Sequence, residues 1–229
     1  MSNNVFKRVE VKFLLDARQR AALERAMREH MEADEYGEST ICSLYYDTPD
    51  SRLIRRSLEK PMYKEKLRLR SYGTAKPDGN IYIELKKKYD GIVYKRRVTA
   101  PLSEMRHFLE EGTPLQDNPQ IQSEIRWMFA RYDLKPAVLV IYDRIALFGI
   151  EDPTLRVTFD SHLRYRTEDL ELSHGSDGEL FEPEDFYIME IKFPQSSPLW
   201  LVQILDELKI YPGSFSKIGT VFSKYVFER

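Results

Sequence analysis

Residues 64–73 read KEKLRLRSYG, with Lys64, Lys66, Arg68 and Arg70 at every second position and Leu67 and Leu69 between them. Side chains two apart share one face of a strand, so this stretch carries a cationic face opposite a partly apolar one. The pattern recurs. In IYIELKK (81–87) Tyr82, Glu84 and Lys86 oppose Ile81, Ile83 and Leu85, and in VYKRRVT (93–99) Lys95, Arg97 and Thr99 align. Tyr142 and Arg144 align in VLVIYDRIAL (138–147), and Arg156, Thr158 and Asp160 align in LRVTFD (155–160). Glu190 and Lys192 share a face in YIMEIKF (187–193), as do Arg8, Glu10 and Lys12 in KRVEVKF (7–13). These faces are mostly of one sign. Adjacent like charges on a sheet repel, so such a set calls for a polyanionic ligand. Arginine suits it, because its planar guanidinium grips oxyanions bidentately. Neither a G-x-x-x-x-G-K-[ST] loop nor a G-x-G-x-x-G turn is present, so phosphates would be held by side chains.

The charge distribution agrees. The chain has 229 residues and a net charge of −2, yet residues 52–97 hold 15 Lys and Arg against 5 Asp and Glu. A basic segment in an acidic chain points to a local anion site and disfavours duplex nucleic acid as a partner. The single cysteine, Cys42, excludes an internal disulfide; its apolar neighbours make it a buried structural residue. His30, His107, His162 and His174 lack metal-ligand spacing. Tyr45 and Tyr46 read as strand packing; Glu65, Asp143 and Asp160 read either as partners of the cations or as surface charges. The N-terminus lacks the apolar core of a signal peptide and no stretch reaches the length of a transmembrane span, which points to a cytoplasmic protein.

Helical signals lie between the strands. Asp16 caps a helix running to about His30; Asn118 with Pro119 opens one over 118–132; Ser103 opens another ending near Gly112. Ser197–Pro198 precedes a helix with Leu201, Leu205 and Leu208 inward, and 216–227 is helical. The fold expected is α+β in one domain, 1–229. Helices would cover the strands' apolar faces, and a curved antiparallel sheet would close its charged faces inward, giving a β-barrel tunnel with a cationic interior surrounded by helices.

Together these segments resemble the triphosphate tunnel metalloenzymes (CYTH-like proteins), and more narrowly the VTC domain, the polyphosphate polymerase domain of the vacuolar transporter chaperone complex. The matching pieces run in order: VEVKF (9–13), SLYYDTPD (43–50), KLRLRSYG (66–73), IELKKK (83–88), YKRR (94–97), IYDR (141–144), LRVTFD (155–160), MEIKFP (189–194) and FSKIG (215–219). The resemblance implies a metal-dependent polyphosphate polymerase that moves the γ-phosphate of ATP onto a growing polyphosphate chain. Its partners would be ATP or another triphosphate, inorganic polyphosphate and, where the product crosses a membrane, a separate membrane protein. By this matching Arg68, Arg70, Arg144, Arg156 and Lys86 take the catalytic part. Lys12, Arg55, Arg97, Lys192 and Lys217 bind phosphate, and Glu190 holds Mn²⁺ or Mg²⁺. Arg8 stands where the broader superfamily has the first acid of E-x-E-x-K, which favours the polymerase branch over a tripolyphosphatase or nucleoside triphosphatase. A non-catalytic polyphosphate-binding module is the third reading.

Overall fold

The computed structural model describes residues 9–194 and 196–226. Arg8, the residue set against the hydrolase reading, lies outside them, as does the final residue of the helix expected over 216–227. The strands are β1 (Val9–Leu15), β2 (Met31–Asp47), β3 (Tyr63–Tyr72), β4 (Asn80–Tyr89), β5 (Ile92–Pro101), β6 (Lys135–Gly149), β7 (Arg156–Arg166), β8 (Glu179–Leu180), β9 (Tyr187–Phe193) and β10 (Pro212–Gly213). The helices are α1 (Ala17–Met27), α2 (Arg52–Leu58), α3 (Leu102–Glu110), α4 (Pro119–Tyr132), α5 (Leu199–Glu207) and α6 (Lys217–Val221), the last running into a π-helical turn at Phe222–Val226. The fold is α+β, with helices around a central sheet.

The strands hydrogen-bond in the order β10-β1-β9-β7-β6-β2-β3-β4-β5, with β8 on β7. The sheet ends at β10 and β5 and does not close into a barrel, which corrects the expected β-barrel tunnel. Among the described residues the outer edge of β1 is met by the two residues of β10, paired as Lys12 with Gly213 and Phe13 with Pro212. Pro212 has no N–H to donate, so this edge cannot propagate a ladder. The alternating charges predicted the strands correctly; closure depends on edges, which alternation does not encode.

The chain divides into two compact units, 1–39 with 142–163 and 182–216, and 40–141 with 164–181 and 217–229. Each has its own core. In the first, Phe13 and Leu15 of β1, Val157 and Phe159 of β7 and Met189 and Ile191 of β9 pack with Leu23 and Met27 of α1 and Leu201 and Leu205 of α5. In the second, Leu67 and Leu69 of β3, Ile81, Ile83 and Leu85 of β4 and Val98 of β5 pack with Met105 and Phe108 of α3 and Ile125 and Met128 of α4. Leu67 lies opposite Leu85 and Leu69 opposite Ile83. A one-residue slip of β3 would expose both leucines and bury Lys66 and Arg68. Each fully buried leucine is worth roughly 1.5–3 kcal/mol, so the apolar face fixes where the cationic face must be.

Helix starts follow the sequence. Asp16 accepts from the N–H of Gln19 at 2.8 Å while Gln19 reaches back to the N–H of Asp16, a capping box. Asn118 accepts from the N–H groups of Gln120 and Ile121, with Pro119 in the first turn. The start of α3 differs: Pro101, not Ser103, occupies the cap. Helix α2 was not legible, because its anchor is remote. Buried Asp47, the last residue of β2, accepts from the N–H groups of Thr48 and Leu53 at 2.8 Å and of Ile54 at 3.0 Å. Removing it leaves three N–H groups short of partners. Asp47→Ala should therefore lower unfolding stability by about 2–3 kcal/mol, read by urea denaturation.

Candidate functional site

The register of β3, β4 and β5 sets charged residues in rows across the second unit. Lys66 faces Lys86, which faces Lys95; Arg68 faces Glu84, which faces Arg97; Arg70 faces Tyr82, which faces Thr99. On the other side of β3, Tyr45 and Ser43 of β2 face Arg68 and Arg70. Glu84 gathers the arginines. Its Oε2 accepts from Arg68 Nε at 2.8 Å and Nη2 at 2.7 Å and lies 3.8 Å from Arg70 Nη1. Its Oε1 accepts from Arg97 Nε at 2.9 Å and also from Arg97 Nη2. Burial would raise the Glu84 carboxyl, but Arg68, Arg70 and Arg97 prevail and bring it down to about 2.

Arg68 is held from a second direction, its Nη1 donating to the Tyr45 hydroxyl at 3.0 Å. Burial pushes that phenol up, yet Arg68, Lys66 and Arg70 outweigh it and lower it to about 8. Arg70, buried, donates to Ser43 Oγ at 3.4 Å. Arg97 packs its guanidinium over the Tyr82 ring at 4.8 Å. The lysines raise the local potential: Lys64 is lowered first by burial and then by Lys88, Lys86 and Lys60.

The first unit carries a second set. In register, Lys12 faces Glu190, which faces Thr158, and Glu10 faces Lys192, which faces Arg156. Glu190 lies 3.1 Å from Lys12 Nζ, 3.2 Å from Lys192 Nζ and 3.9 Å from Arg144 Nη2. Arg144 makes a bidentate pair with buried Asp160, at 2.6 and 2.8 Å. Burial works against the charge of Arg144, but Tyr142, Asp160 and Glu190 raise its pKa well above the usual value. Lys12 is likewise raised: burial opposes its charge, and Glu190, Glu10 and Asp160 restore it. Thr158 Oγ1 is buried without a hydrogen-bond partner among the described residues. Arg156 is exposed and has no carboxylate partner among the described residues.

The predicted residues thus fall into two sets. Arg68, Arg70, Arg97 and Lys86 share one face in the second unit; Lys12, Arg144, Arg156, Lys192 and Glu190 come together in the first. Arg55 is on α2, exposed, and donates to the Asp50 carbonyl; Lys217 opens α6. Sequence reasoning missed Glu84 and Tyr45 as members. The register of SLYYD against KLRLR, had it been read, would have found Tyr45. Asp160 is a buried partner of Arg144, Glu65 is buried and accepts from Tyr63 at 2.7 Å, and Asp143 pairs with His162 at 3.2 Å. Cys42 is buried, as expected.

No group of three or more His, Cys, Asp or Glu that could hold a metal ion occurs among the described residues. Glu190 offers one carboxylate, and cations face both of its oxygens. That arrangement does not fit a resident divalent metal, which needs several oxygen ligands.

The model of the VTC domain matches residues 7–225. No curated protein matches the chain. Among solved structures, a candidate adenylate cyclase from Bacillus halodurans is 14% identical with a TM-score of 0.57, over 95% of this chain and 97% of that one. A candidate adenylyl cyclase from Hippeastrum, described as having a dominant triphosphatase activity, is 14% identical with a TM-score of 0.52, over 94% of this chain and 95% of that one. A candidate adenylate cyclase from Vibrio parahaemolyticus is 12% identical with a TM-score of 0.51, over 94% and 97%. At these identities the likeness is one of fold.

Two measurements check the electrostatics of the second unit. One tyrosine should ionise near pH 8 by phenolate absorbance, and Arg68→Gln should move it up toward 10.0. Glu84 lies lower in the folded chain, about 2, than its ordinary 4.5. The unfolded chain therefore binds more protons between those values. The stabilisation is complete above pH 4.5 and is lost as pH falls through about 2. Glu84→Gln should cost on the order of 2–3 kcal/mol at neutral pH, a loss that shrinks in urea melts toward acid.

Proposed function

The chain belongs to the VTC domain family, and from that premise we propose that it is a phosphoryl-transfer enzyme that cleaves a nucleoside triphosphate or tripolyphosphate. The observation that carries this reading is the row Arg68–Glu84–Arg97 with Arg70 beside it, next to the row Lys66–Lys86–Lys95. Phosphoryl transfer asks a protein chiefly for positioning and for neutralising charge on the equatorial oxygens. Arg68 arrives oriented by Glu84 and Tyr45, so it loses little freedom on meeting a phosphate. In the first unit, exposed Arg156 and the hydroxyl of Thr158 beside Glu190 offer a charge and a polar contact that nothing among the described residues takes up. Lys12, Arg144 and Lys192 supply further positive charge. A divalent ion, Mn²⁺ or Mg²⁺, would come with the substrate as its metal–triphosphate rather than reside on Glu190.

We take water as the acceptor. The relative from Hippeastrum, alike in fold, supports hydrolysis. Elongation of a polyphosphate chain, with ATP as donor, is the second reading, supported by the family match over 7–225. Incubation with ATP or tripolyphosphate and Mn²⁺, resolving ADP, free phosphate and long chains, tests both. Free phosphate should appear in step with ADP. Long chains accumulating with ADP would install the polymerase instead, and tight binding without turnover would leave a binding module.

Arg156→Ala and Arg68→Ala should each slow turnover roughly 10²–10³-fold, read in the same assay. Arg156→Ala is the cleaner variant, since it breaks no ion pair among the described residues and should leave the melting temperature unchanged. Unchanged turnover in both would remove these arginines from the site.

A further inference from the structure

The tip of the hairpin joining β4 to β5, residues 89–94, carries a surface that phosphoryl transfer does not use. Residues 89–95 are exposed without a break. In a strand packed on one face exposure alternates, so this run means that the tip stands clear on both faces. It is also apolar: Tyr89 is 53% exposed, Ile92 58%, Val93 42% and Tyr94 45%, and neighbouring Met62 is 66% exposed. Asp90 and Gly91 turn the chain, both with positive φ (45° and 80°), and the N–H of Asp90 donates to the carbonyl of Met62 at 3.0 Å. The tip is thus a defined turn tied to the start of β3.

Its flanks are basic. Lys86, Lys87, Lys88, Lys95, Arg96 and Arg97 lie within residues 85–97, where the sole acid is Asp90. Lys87 and Arg96 pair with Glu124 on α4, at 2.9 and 3.6 Å, which neutralises part of one face. On the other face Lys88 pairs in register with Lys64 across to β3, and Lys86 pairs in register with Lys66 and Lys95. The result is an aliphatic and aromatic point set in a cationic collar.

We propose that this hairpin tip docks on an anionic lipid surface, Ile92 and Val93 entering the acyl boundary, Tyr89 and Tyr94 sitting at headgroup level and the collar lysines meeting the lipid phosphates. Apolar insertion and attraction to acidic headgroups are the two components of interfacial binding, and tyrosine favours that depth. A second copy of the chain fits less well. Pairing two β5 edges would set Lys95, Arg96 and Arg97 of one chain against the same charges of the other. A nucleic acid would satisfy the lysines but gives Ile92 and Val93 nothing to bury against.

The test is co-sedimentation of the whole protein with vesicles of phosphatidylcholine alone or mixed with phosphatidylserine, at low and high salt. It needs no turnover, so it stands apart from the proposed activity. Binding should appear only with phosphatidylserine and weaken with salt, as screening shortens the reach of the collar. Ile92→Asp with Val93→Asp should reduce it by roughly tenfold or more, with an unchanged thermal melt. Ile92→Ser with Val93→Ser, gentler on folding, should reduce it less. No binding to phosphatidylserine vesicles at low salt overturns the proposal, as does equal binding by both tip variants. A concentration-dependent dimer in light scattering that the tip variants abolish, without vesicle binding, assigns the surface to a second copy and equally overturns it.

Discussion

Cations crowded on one face of a sheet repel, and this protein tolerates them by setting carboxylates among them. Two unit charges 4 Å apart interact by about 4 kcal/mol near a protein surface, so three neighbouring arginines would destabilise the fold on their own. Glu84 reverses the sign of that interaction for Arg68, Arg70 and Arg97, and Glu190 with Asp160 does so for Lys12, Lys192 and Arg144. The depressed Glu84 carboxyl and the raised Arg144 have one kind of cause, each charge being held by groups of opposite sign beside it. Glu84 lies in register between Arg68 and Arg97, and Glu190 between Lys12 and Thr158. The charge pattern is therefore written in strand pairing rather than in loop geometry.

That placement depends in turn on the opposite face. Leu67, Leu69, Ile83 and Leu85 are buried beneath α3 and α4, and this burial leaves β3 and β4 a single register. Once it is set, Arg68 must face Glu84 and Tyr45, and Lys86 must stand between Lys66 and Lys95. Packing energy is thereby converted into electrostatic arrangement. Core and charged face cannot be altered independently, because they alternate along the same strands.

This explains which parts were readable beforehand. Period-two alternation is a local property, and it yielded the strands β3, β4, β5, β7 and β9. Local capping residues yielded α1 and α4. The missed elements are those fixed from a distance. Helix α2 hangs on Asp47 six and seven residues away. The outer half of β2, MEADEYGE, is polar and largely exposed, so it shows no alternation to read. Openness of the sheet is set by the short β10 and its proline, a statement about edges that composition does not carry. Glu84 was visible on a cationic face, but its centrality appears only when β5 is laid beside β4. Asp160 looked like either a partner or a surface charge, and its burial against Arg144 decides for the partner.

The same carboxylates impose a condition on any phosphate ligand. On the proposed reading a triphosphate must approach arginines that already have an anion, so Glu84 and Glu190 compete with it as well as orient its contacts. Net attraction then depends on how many cations one ligand meets at once. In the second unit Lys66, Lys86 and Lys95 stand in register as a row of one sign beside Arg68 and Arg97. A ligand with a single phosphate meets only part of this set and gains little over the internal carboxylates. On the proposed reading a linear polyanion would meet the lysine row and the guanidinium groups of the second unit together, and its affinity would rise with each phosphate that finds a cation. On that reading, preference for several linked phosphates over one follows from how many cations each ligand meets.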